Sequence, residues 1–437
     1  MVAGPTSAIN VIFFVASLCI RPSVAQGFLR NSEESEFPFE LYGSDVVVVN
    51  RTDVEFLASD ELGGRNDGTT GSLLAQEFLI DKLQAMGAVG LVSSKSGRDA
   101  FRQDVYSRGT NILGILPGSD LSNEHIFLSA HYDHISFCEI KANADSNICN
   151  GATDNAAGVA VVLGIGSRIA ELSERPRRSI VFGFWDREED GLIGSQYFIE
   201  EDPLIPLSQI TTLLNFDIMG SNLLPSLRKV SFAIGAESGG SQLEYLVEQA
   251  VISDVSGDLN TVTISAILGS QRSDYFNFYE MDVPIVFFSD STGPCYHTNG
   301  DEIKNVDFDK LEKQARVALK LTYNLATTNR KIKFTEPCIN PTNELSGIDL
   351  LLFPAEFSDL RVLNNLVNQA YEDIDLFPEA AKPEFEFIKS ELNCLTRWGP
   401  IAFPFILALD TERLFILLPL IDIFTTPECA GFQADSS

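Results

Sequence analysis

The sequence predicts an α/β protein with a mixed, largely parallel central sheet, helices on both faces, and a small, mainly helical C-terminal unit. Three apolar runs, at residues 125–131, 179–185 and 210–216, are rich in Val, Ile, Leu and Phe, as is typical of strands buried on both faces. Stretches with apolar residues at helical spacing separate or follow them, at 73–87, 157–172 and 307–327. Strands that alternate with helices in this way favour parallel pairing.

Weaker patterns add three strands and one helix. Residues 109–119 predict a strand that ends in a Pro-Gly turn, and 230–237 and 283–288 predict two more. Residues 241–251 have helical spacing, and Gly87 is expected to end the first helix.

The chain is long enough, at 437 residues, for one large domain and a smaller unit. Residues 1–25 are expected to be a signal peptide cleaved before Gln26, with an uncleaved anchor as the alternative. We expect an irregular acidic arm at 26–42, the main domain at 43–330 and a proline-punctuated accessory region at 337–437. The predicted localisation is therefore secreted, or the lumen of the secretory pathway.

The formal net charge of -30 restricts the partners. Such a surface repels phosphate backbones and anionic lipid headgroups, so nucleic acid and stable membrane association are not expected.

Six of the seven cysteines follow the predicted signal peptide, which favours disulfides in an exported chain. Cys138 and Cys149 bracket one polar loop and form the first predicted pair. Cys295 with Cys338 and Cys394 with Cys429 would follow by elimination. Asn50 begins an N-glycosylation sequon, a match that is common by chance.

Five side chains that could bind a metal ion stand at or just beyond predicted strand ends: His131, Asp154, Glu189, Asp217 and His297. Each has an ordinary alternative, such as a solvated acidic turn at Glu188-Glu189 or a helix N-cap at Asp154-Asn155. Ligands bind outside the carboxyl ends of strands in open α/β sheets, so we expect the five to converge. Imidazole and carboxylate ligands suit zinc, and five are too many for one tetrahedral catalytic ion. They suit two zinc ions bridged by one carboxylate, with Glu188 free to accept a proton from water.

These residues resemble the co-catalytic zinc peptidases typified by bacterial leucyl aminopeptidases. The matching segments are HYD at 131–133, GATDNAAG at 151–158, REEDGLIGS at 187–195, LNFDIMG at 214–220 and CYHTNGDEI at 295–303. The resemblance extends from about residue 53 to 327 and implies a zinc exopeptidase fold for residues 43–330.

The resemblance also implies a role for each site residue. Asp154 would bridge two zinc ions, one bound by His131 and Asp217 and the other by Glu189 and His297. Glu188 would be the general base, and Asp133 would orient His131. Ser273-Asp274-Tyr275 is similar to the family's substrate-side segment, and His134 is assigned no metal.

Two features depart from the family pattern. No domain is inserted between residues 90 and 105, and Arg187 stands where a small residue is commoner. The polar loop at 138–150 is expected near the cleft, so these differences concern specificity rather than the ligand set.

The resulting expectation is a secreted, two-zinc aminopeptidase that acts on peptides or small proteins. A carboxypeptidase or a glutaminyl cyclase on the same fold is the first alternative, and a cyclase would bind a single zinc ion. A binding module without catalysis is the second alternative.

Overall fold

The computed structural model describes residues 46–135, 138–140, 146–252, 258–266, 271–335 and 364–376, with 38, 41, 382, 383, 385, 386, 389 and 393. The predicted signal peptide, most of the acidic arm and most of the accessory region lie outside these residues. The same is true of Cys338, Cys394 and Cys429. Among the described helices, none is long and apolar enough to cross a bilayer.

The described strands form one mixed, nine-stranded sheet. They are β1 (Val89–Gly90), β2 (Arg102–Asp104), β3 (Thr110–Leu116), β4 (Leu121–His131), β5 (Arg178–Trp185), β6 (Ile210–Phe216), β7 (Val230–Ile234), β8 (Asn260–Ile264) and β9 (Ile285–Ser289). Their order is β1-β3-β5-β4-β6-β9-β7-β8, and β2 pairs with β3 outside this path. The central strands β5, β4, β6 and β9 are parallel, while β3 and β7 run antiparallel to β5 and β9.

Helices cover both faces of the sheet, as the sequence predicted. They are α1 (Arg51–Leu57), α2 (Thr70–Ala85), α3 (Ala157–Ala170), α4 (Ile193–Glu200), α5 (Gly240–Ile252), α6 (Tyr275–Tyr279) and α7 (Phe308–Thr327). One core contains residues of α1, α2, α3, α5 and α7, and the other contains residues of α4 and α6.

Strand β5 has an almost continuous apolar sequence because both of its faces are buried. All eight of its residues are buried. Successive side chains of a strand point to opposite faces. Phe182 and Phe184 therefore enter the first core, while Val181 and Trp185 enter the second.

The strand predictions at 125–131, 179–185 and 210–216 correspond to β4, β5 and β6. The prediction missed the short helix α1, which Asn50 caps by accepting a hydrogen bond from the main-chain N–H of Thr52. In the C-terminal region, residues 364–370 are helical, and Val367, Ala370 and Phe385 pack against the 223–230 segment.

Candidate metal centre

The parallel register of the central strands brings three polar segments to one edge of the sheet. His131, the last residue of β4, pairs with Trp185, the last residue of β5. Ser129 of β4 pairs with Asn215 of β6, so Asp217 emerges level with His131. The turn that carries Glu188 and Glu189 begins directly after Trp185.

Asp154 lies in an irregular turn, residues Ala152–Ala156, just before α3. The buried carboxylate of Asp301 holds this turn, since it accepts main-chain N–H groups of Thr153 at 2.9 Å and Asp154 at 3.0 Å. The alternative of a helix N-cap at Asp154-Asn155 does not apply, because α3 begins later, with Ala156 as its N-cap. The Asn155 amide instead donates to the Phe216 carbonyl at 2.8 Å, which ties the turn to the end of β6.

One oxygen of Asp154 belongs to a group with His131 and Asp217. His131 Nε2 lies 3.3 Å from Asp154 Oδ1 and 3.2 Å from Asp217 Oδ1. All three side chains are buried. Burial alone would lower the pKa of His131, but the carboxylates of Asp217 and Glu188 raise it well above its ordinary value.

The second oxygen of Asp154 faces Glu189 and His297. His297 Nε2 lies 3.3 Å from Asp154 Oδ2 and 2.9 Å from Glu189 Oε2. His134, to which the sequence assigned no metal, enters this group as well. Its Nδ1 lies 2.9 Å from Glu189 Oε1 and 3.8 Å from Asp154 Oδ2. Both His134 and His297 are therefore candidate ligands on this side of Asp154.

Glu188 occupies a position apart from its neighbour Glu189. Its Oε2 lies 3.9 Å from His131 Nε2, and its side chain is 10% exposed. Burial raises its pKa well above the usual value, and the nearby carboxylate of Asp217 adds to this while His131 opposes it. A carboxyl group with a raised pKa beside a candidate metal site is suited to accept and return a proton.

Asp133 contacts both His131 and the glutamate turn. His131 Nδ1 lies 3.1 Å from the Asp133 main-chain oxygen and 3.6 Å from its carboxylate. The same carboxylate accepts the main-chain N–H groups of Glu188 at 3.1 Å and Glu189 at 3.3 Å. Asp133 thus fixes the imidazole and the two glutamates relative to each other.

The donor set fits divalent zinc. Among the described residues, Asp154 Oδ2 and His297 Nε2 are buried atoms without a hydrogen-bond partner, although they approach each other within ion-pair distance. Groups of ligand atoms that could hold an ion form on both sides of Asp154, with His131 and Asp217 on one and His134 and Glu189 on the other. Imidazole nitrogen and carboxylate oxygen are the ligands that zinc takes at catalytic sites.

Sequence reasoning missed Arg65, which is fully buried behind the site. Its guanidinium donates hydrogen bonds to the main-chain oxygens of Tyr132 at 2.8 Å, Asn150 at 2.8 Å and Gly151 at 3.2 Å. Burial lowers its pKa to about 10, against the opposing effect of Asp133, Asp154 and other carboxylates. The sequence around residues 63–65 gave no signal for this role, because these carbonyl partners of Arg65 lie 67 to 86 residues further along the chain.

Asp274, in the predicted substrate-side segment, is buried and interacts electrostatically with His131 and Asp217. Its carboxylate accepts a hydrogen bond from Ser195 Oγ, and its other oxygen has no hydrogen-bond partner in the described part of the chain. Burial raises its pKa to about 7. Asn215, in β6 two residues before Asp217, donates to Ser273 Oγ at 2.8 Å and so connects this segment with the strand that precedes Asp217.

The Arg187 guanidinium is not a free cation, because it is paired with two acidic side chains. Its guanidinium lies 3.0 Å from Asp190 and 3.6 Å from Asp67. Asp67 in turn pairs with Arg108 at 3.0 Å. These ion pairs form a charged group beside the glutamate turn.

The predicted disulfide between Cys138 and Cys149 is present. Cys295 is also disulfide-bonded. The predicted partner of Cys295, Cys338, and the predicted pair Cys394 and Cys429 lie outside the described residues.

Comparison with known proteins shows which family this chain resembles. A sequence model of peptidase family M28 matches residues 111–322. A probable glutamate carboxypeptidase of Arabidopsis thaliana is 29% identical over 228 residues, which cover 48% of this chain and 29% of the relative. Leupeptin-inactivating enzyme 1 of Streptomyces exfoliatus is 28% identical over 165 residues, which cover 38% of this chain and 33% of the relative. The chain thus spans about a third of the length of these curated relatives.

The fold has a counterpart among solved structures. The crystal structure of an aminopeptidase from Legionella pneumophila aligns with a TM-score of 0.52 and 17% identity, over 66% of this chain and 74% of that one. The family match covers residues 111–322, just under half of the chain, and this solved aminopeptidase structure has the same fold.

Proposed function

We propose that this protein is a secreted exopeptidase that uses two zinc ions, most specifically an aminopeptidase that releases N-terminal residues from peptides. The proposal rests on how the candidate ligands are arranged around the two carboxylate oxygens of Asp154. Oδ1 faces His131 and Asp217, whereas Oδ2 faces Glu189 and His297. Asp154 would therefore bridge the two ions.

The catalytic roles follow from the contacts of each residue. Zinc ions bound at such a site supply Lewis acidity, which polarises a carbonyl oxygen and acidifies water. Glu188 lies next to this ligand set without being needed in it, and it would take the proton of the attacking water and return it to the leaving amine. Asp133 would keep the base and the ligand Glu189 at fixed positions through their main-chain N–H groups.

The charge of the site supports an aminopeptidase. Glu188, Asp217 and Asp274 are buried carboxyl groups with raised pKa values, and a nearby ammonium group would favour their ionised forms and be held by them. A site for a terminal carboxylate needs a cation, which Arg commonly supplies. The neighbouring Arg187 is already paired with Asp190 and Asp67.

Replacement of the base tests the catalytic assignment. Glu188→Gln should lower kcat by about 10²–10⁴-fold while the zinc content stays the same, because the amide cannot accept the proton. Glu200→Gln, on the exposed side of α4, is the matched control and should retain full activity. Undiminished turnover in Glu188→Gln would remove the proposed base.

Peptides that are blocked at one terminus distinguish an aminopeptidase from a carboxypeptidase or a glutaminyl cyclase. Peptides with a free N-terminus and an amidated C-terminus should be cleaved, N-acetylated peptides should not, and a chelator should stop cleavage. Cleavage only of N-blocked peptides would indicate a carboxypeptidase, and cyclisation of N-terminal Gln with a single bound zinc ion would indicate a cyclase.

The secreted localisation is supported by the disulfide between Cys138 and Cys149, since disulfides persist in oxidising compartments. Expression of the full chain in a secreting eukaryotic cell should yield a protein in the medium whose N-terminal residue is Gln26. A cell-associated protein that retains residues 1–25 would favour an uncleaved anchor instead.

A further inference from the structure

The loop that the Cys138–Cys149 disulfide closes is paired with the backbone of His297. The Glu139 main-chain N–H donates to the His297 carbonyl at 3.1 Å, and the Asn299 N–H donates to the Glu139 carbonyl at 3.0 Å. The two segments form a parallel bridge between Glu139 and Thr298. A single residue beside Cys138 therefore bonds the main chain at His297 and at Asn299, on both sides of Thr298.

The other end of the loop supports the same segment. The Asn299 amide donates to the Ser146 carbonyl at 2.7 Å. The Asn150 amide, one residue after Cys149, donates to the Glu302 carboxylate at 3.2 Å. The disulfide joins the two ends of the loop at the points where they meet the segment around His297.

His297 needs such support more than the other proposed ligands do. His131 ends a strand, and Glu189 and Asp217 follow strands closely, whereas His297 lies in a turn eight residues after β9. Its φ of 53° is in the left-handed region, which is unfavourable for a side chain with a Cβ. Its side chain is 33% exposed, against 1% for His131 and 8% for Glu189.

We propose that the disulfide-closed loop is a positioning device for His297, and that it sets the affinity of the zinc position on the Asp154 Oδ2 side. The inference rests on the proposed two-zinc function. The zinc position on the Oδ1 side uses His131 and Asp217, which are fixed by β4 and β6, so it should not depend on the loop.

Two variants remove the support in different ways. Cys138→Ser combined with Cys149→Ser opens the loop, and Glu139→Pro keeps the disulfide but removes the N–H donor to His297. Glu139→Ala is the matched control because it keeps the main-chain donor. Zinc is titrated stepwise into each metal-stripped protein against a chromogenic chelator, and thermal unfolding is recorded on the same samples.

The wild type and Glu139→Ala should bind two zinc ions in two steps of the same affinities. In the double serine variant and in Glu139→Pro, one step should weaken at least about tenfold while the other is unchanged, as expected when a ligand loses its orientation. Unchanged steps, or equal weakening of both steps, would overturn the role of the loop. A wild type that binds fewer than two zinc ions would overturn the two-zinc proposal itself, and this inference with it.

Discussion

Arg65 is the residue that most directly connects the separate segments of the site. Its guanidinium donates hydrogen bonds to the carbonyl of Tyr132, next to His131. It also donates to the carbonyls of Asn150 and Gly151, which precede Asp154. It also places a positive charge near Asp133 and Asp154. A buried cation among carboxylates reduces their mutual repulsion in the folded protein.

Replacement of Arg65 should therefore destabilise the protein. Arg65→Met leaves several buried carbonyl groups without a donor, and we expect a loss of about 3 kcal/mol or more in the free energy of unfolding. Urea denaturation in the presence of a chelator measures this loss. Arg98→Met is the control, since Arg98 forms exposed ion pairs with Glu77 and Asp81 that should contribute less than about 1 kcal/mol. Equal stability of the two variants would refute the role of Arg65.

His134, a candidate ligand that also contacts Glu189, should contribute to zinc binding. Its Nδ1 is 2.9 Å from Glu189 Oε1, so an Nδ1–H group can hold that carboxylate with its other oxygen toward His297. His134→Ala should weaken zinc binding by about 10–100-fold, as is typical of partners of ligand side chains. His125→Ala removes a buried histidine that contacts Gln209, and it should leave the affinity unchanged. Wild-type affinity in His134→Ala would exclude this coupling.

At the scale of elements, the strands that carry the site were predictable, because a strand buried on both faces is a continuous apolar run. The polar residues directly after β4, β5 and β6 then had to share one edge. The position of His297 was not predictable from periodicity, since it depends on a turn and on bonds to Glu139. The roles of Arg65 and His134 depend on contacts between distant segments, which no local pattern encodes. Only the resemblance of the motifs indicated the ligand pairing in advance.

The turn after β5 depends on a close approach by α4. A Cβ at Gly194 would lie 2.2 Å from the Asp186 carbonyl oxygen and 2.5 Å from Asn111 Oδ1. Asn111 Oδ1 accepts the Asp186 N–H at 3.1 Å, and its amide donates to the Gly194 carbonyl at 2.9 Å. Gly194 therefore allows α4 to pack against Asp186, where the glutamate turn begins.

Gly194→Ala should displace this turn and with it Glu188 and Glu189. We expect a loss of about 1–3 kcal/mol in stability from overpacking. Activity should fall by about 100-fold, since a displacement of about 1 Å at reacting groups has this effect. Gln196→Ala, on the same helix, is the control for helix substitution as such, and kcat is measured for both. Full activity in Gly194→Ala would show that the close approach is not required.

For the whole molecule, the buried titrating groups predict a pH dependence that zinc should reverse. Burial raises the pKa of Asp186 and of Asp274 to about 7. Burial lowers the pKa of His297, but Asp154 and Glu189 outweigh it and raise that pKa to about 10. Groups with raised pKa values bind protons more tightly in the folded state, so their contribution to stability is greatest at low pH and falls as pH rises.

The metal-free protein should therefore lose stability between about pH 5 and pH 9. Below about pH 4 the protein should instead lose stability as the pH falls. The reason is that the histidine partners of Asp154 and Glu189 lower the pKa values of these two residues despite burial. Zinc-loaded protein should instead gain stability from pH 5 to pH 7, because zinc binding displaces protons from its ligands. Thermal unfolding with chelator or with zinc separates the two states, and parallel trends in both would contradict this account.

The central claim is that Asp154 bridges two zinc ions, and anomalous diffraction at the zinc absorption edge tests it most directly. Crystals of the zinc-loaded protein should show two anomalous peaks about 3.5–4 Å apart, one beside His131 and Asp217 and the other beside Glu189 and His297. A single peak, or two peaks that do not share Asp154, would contradict it.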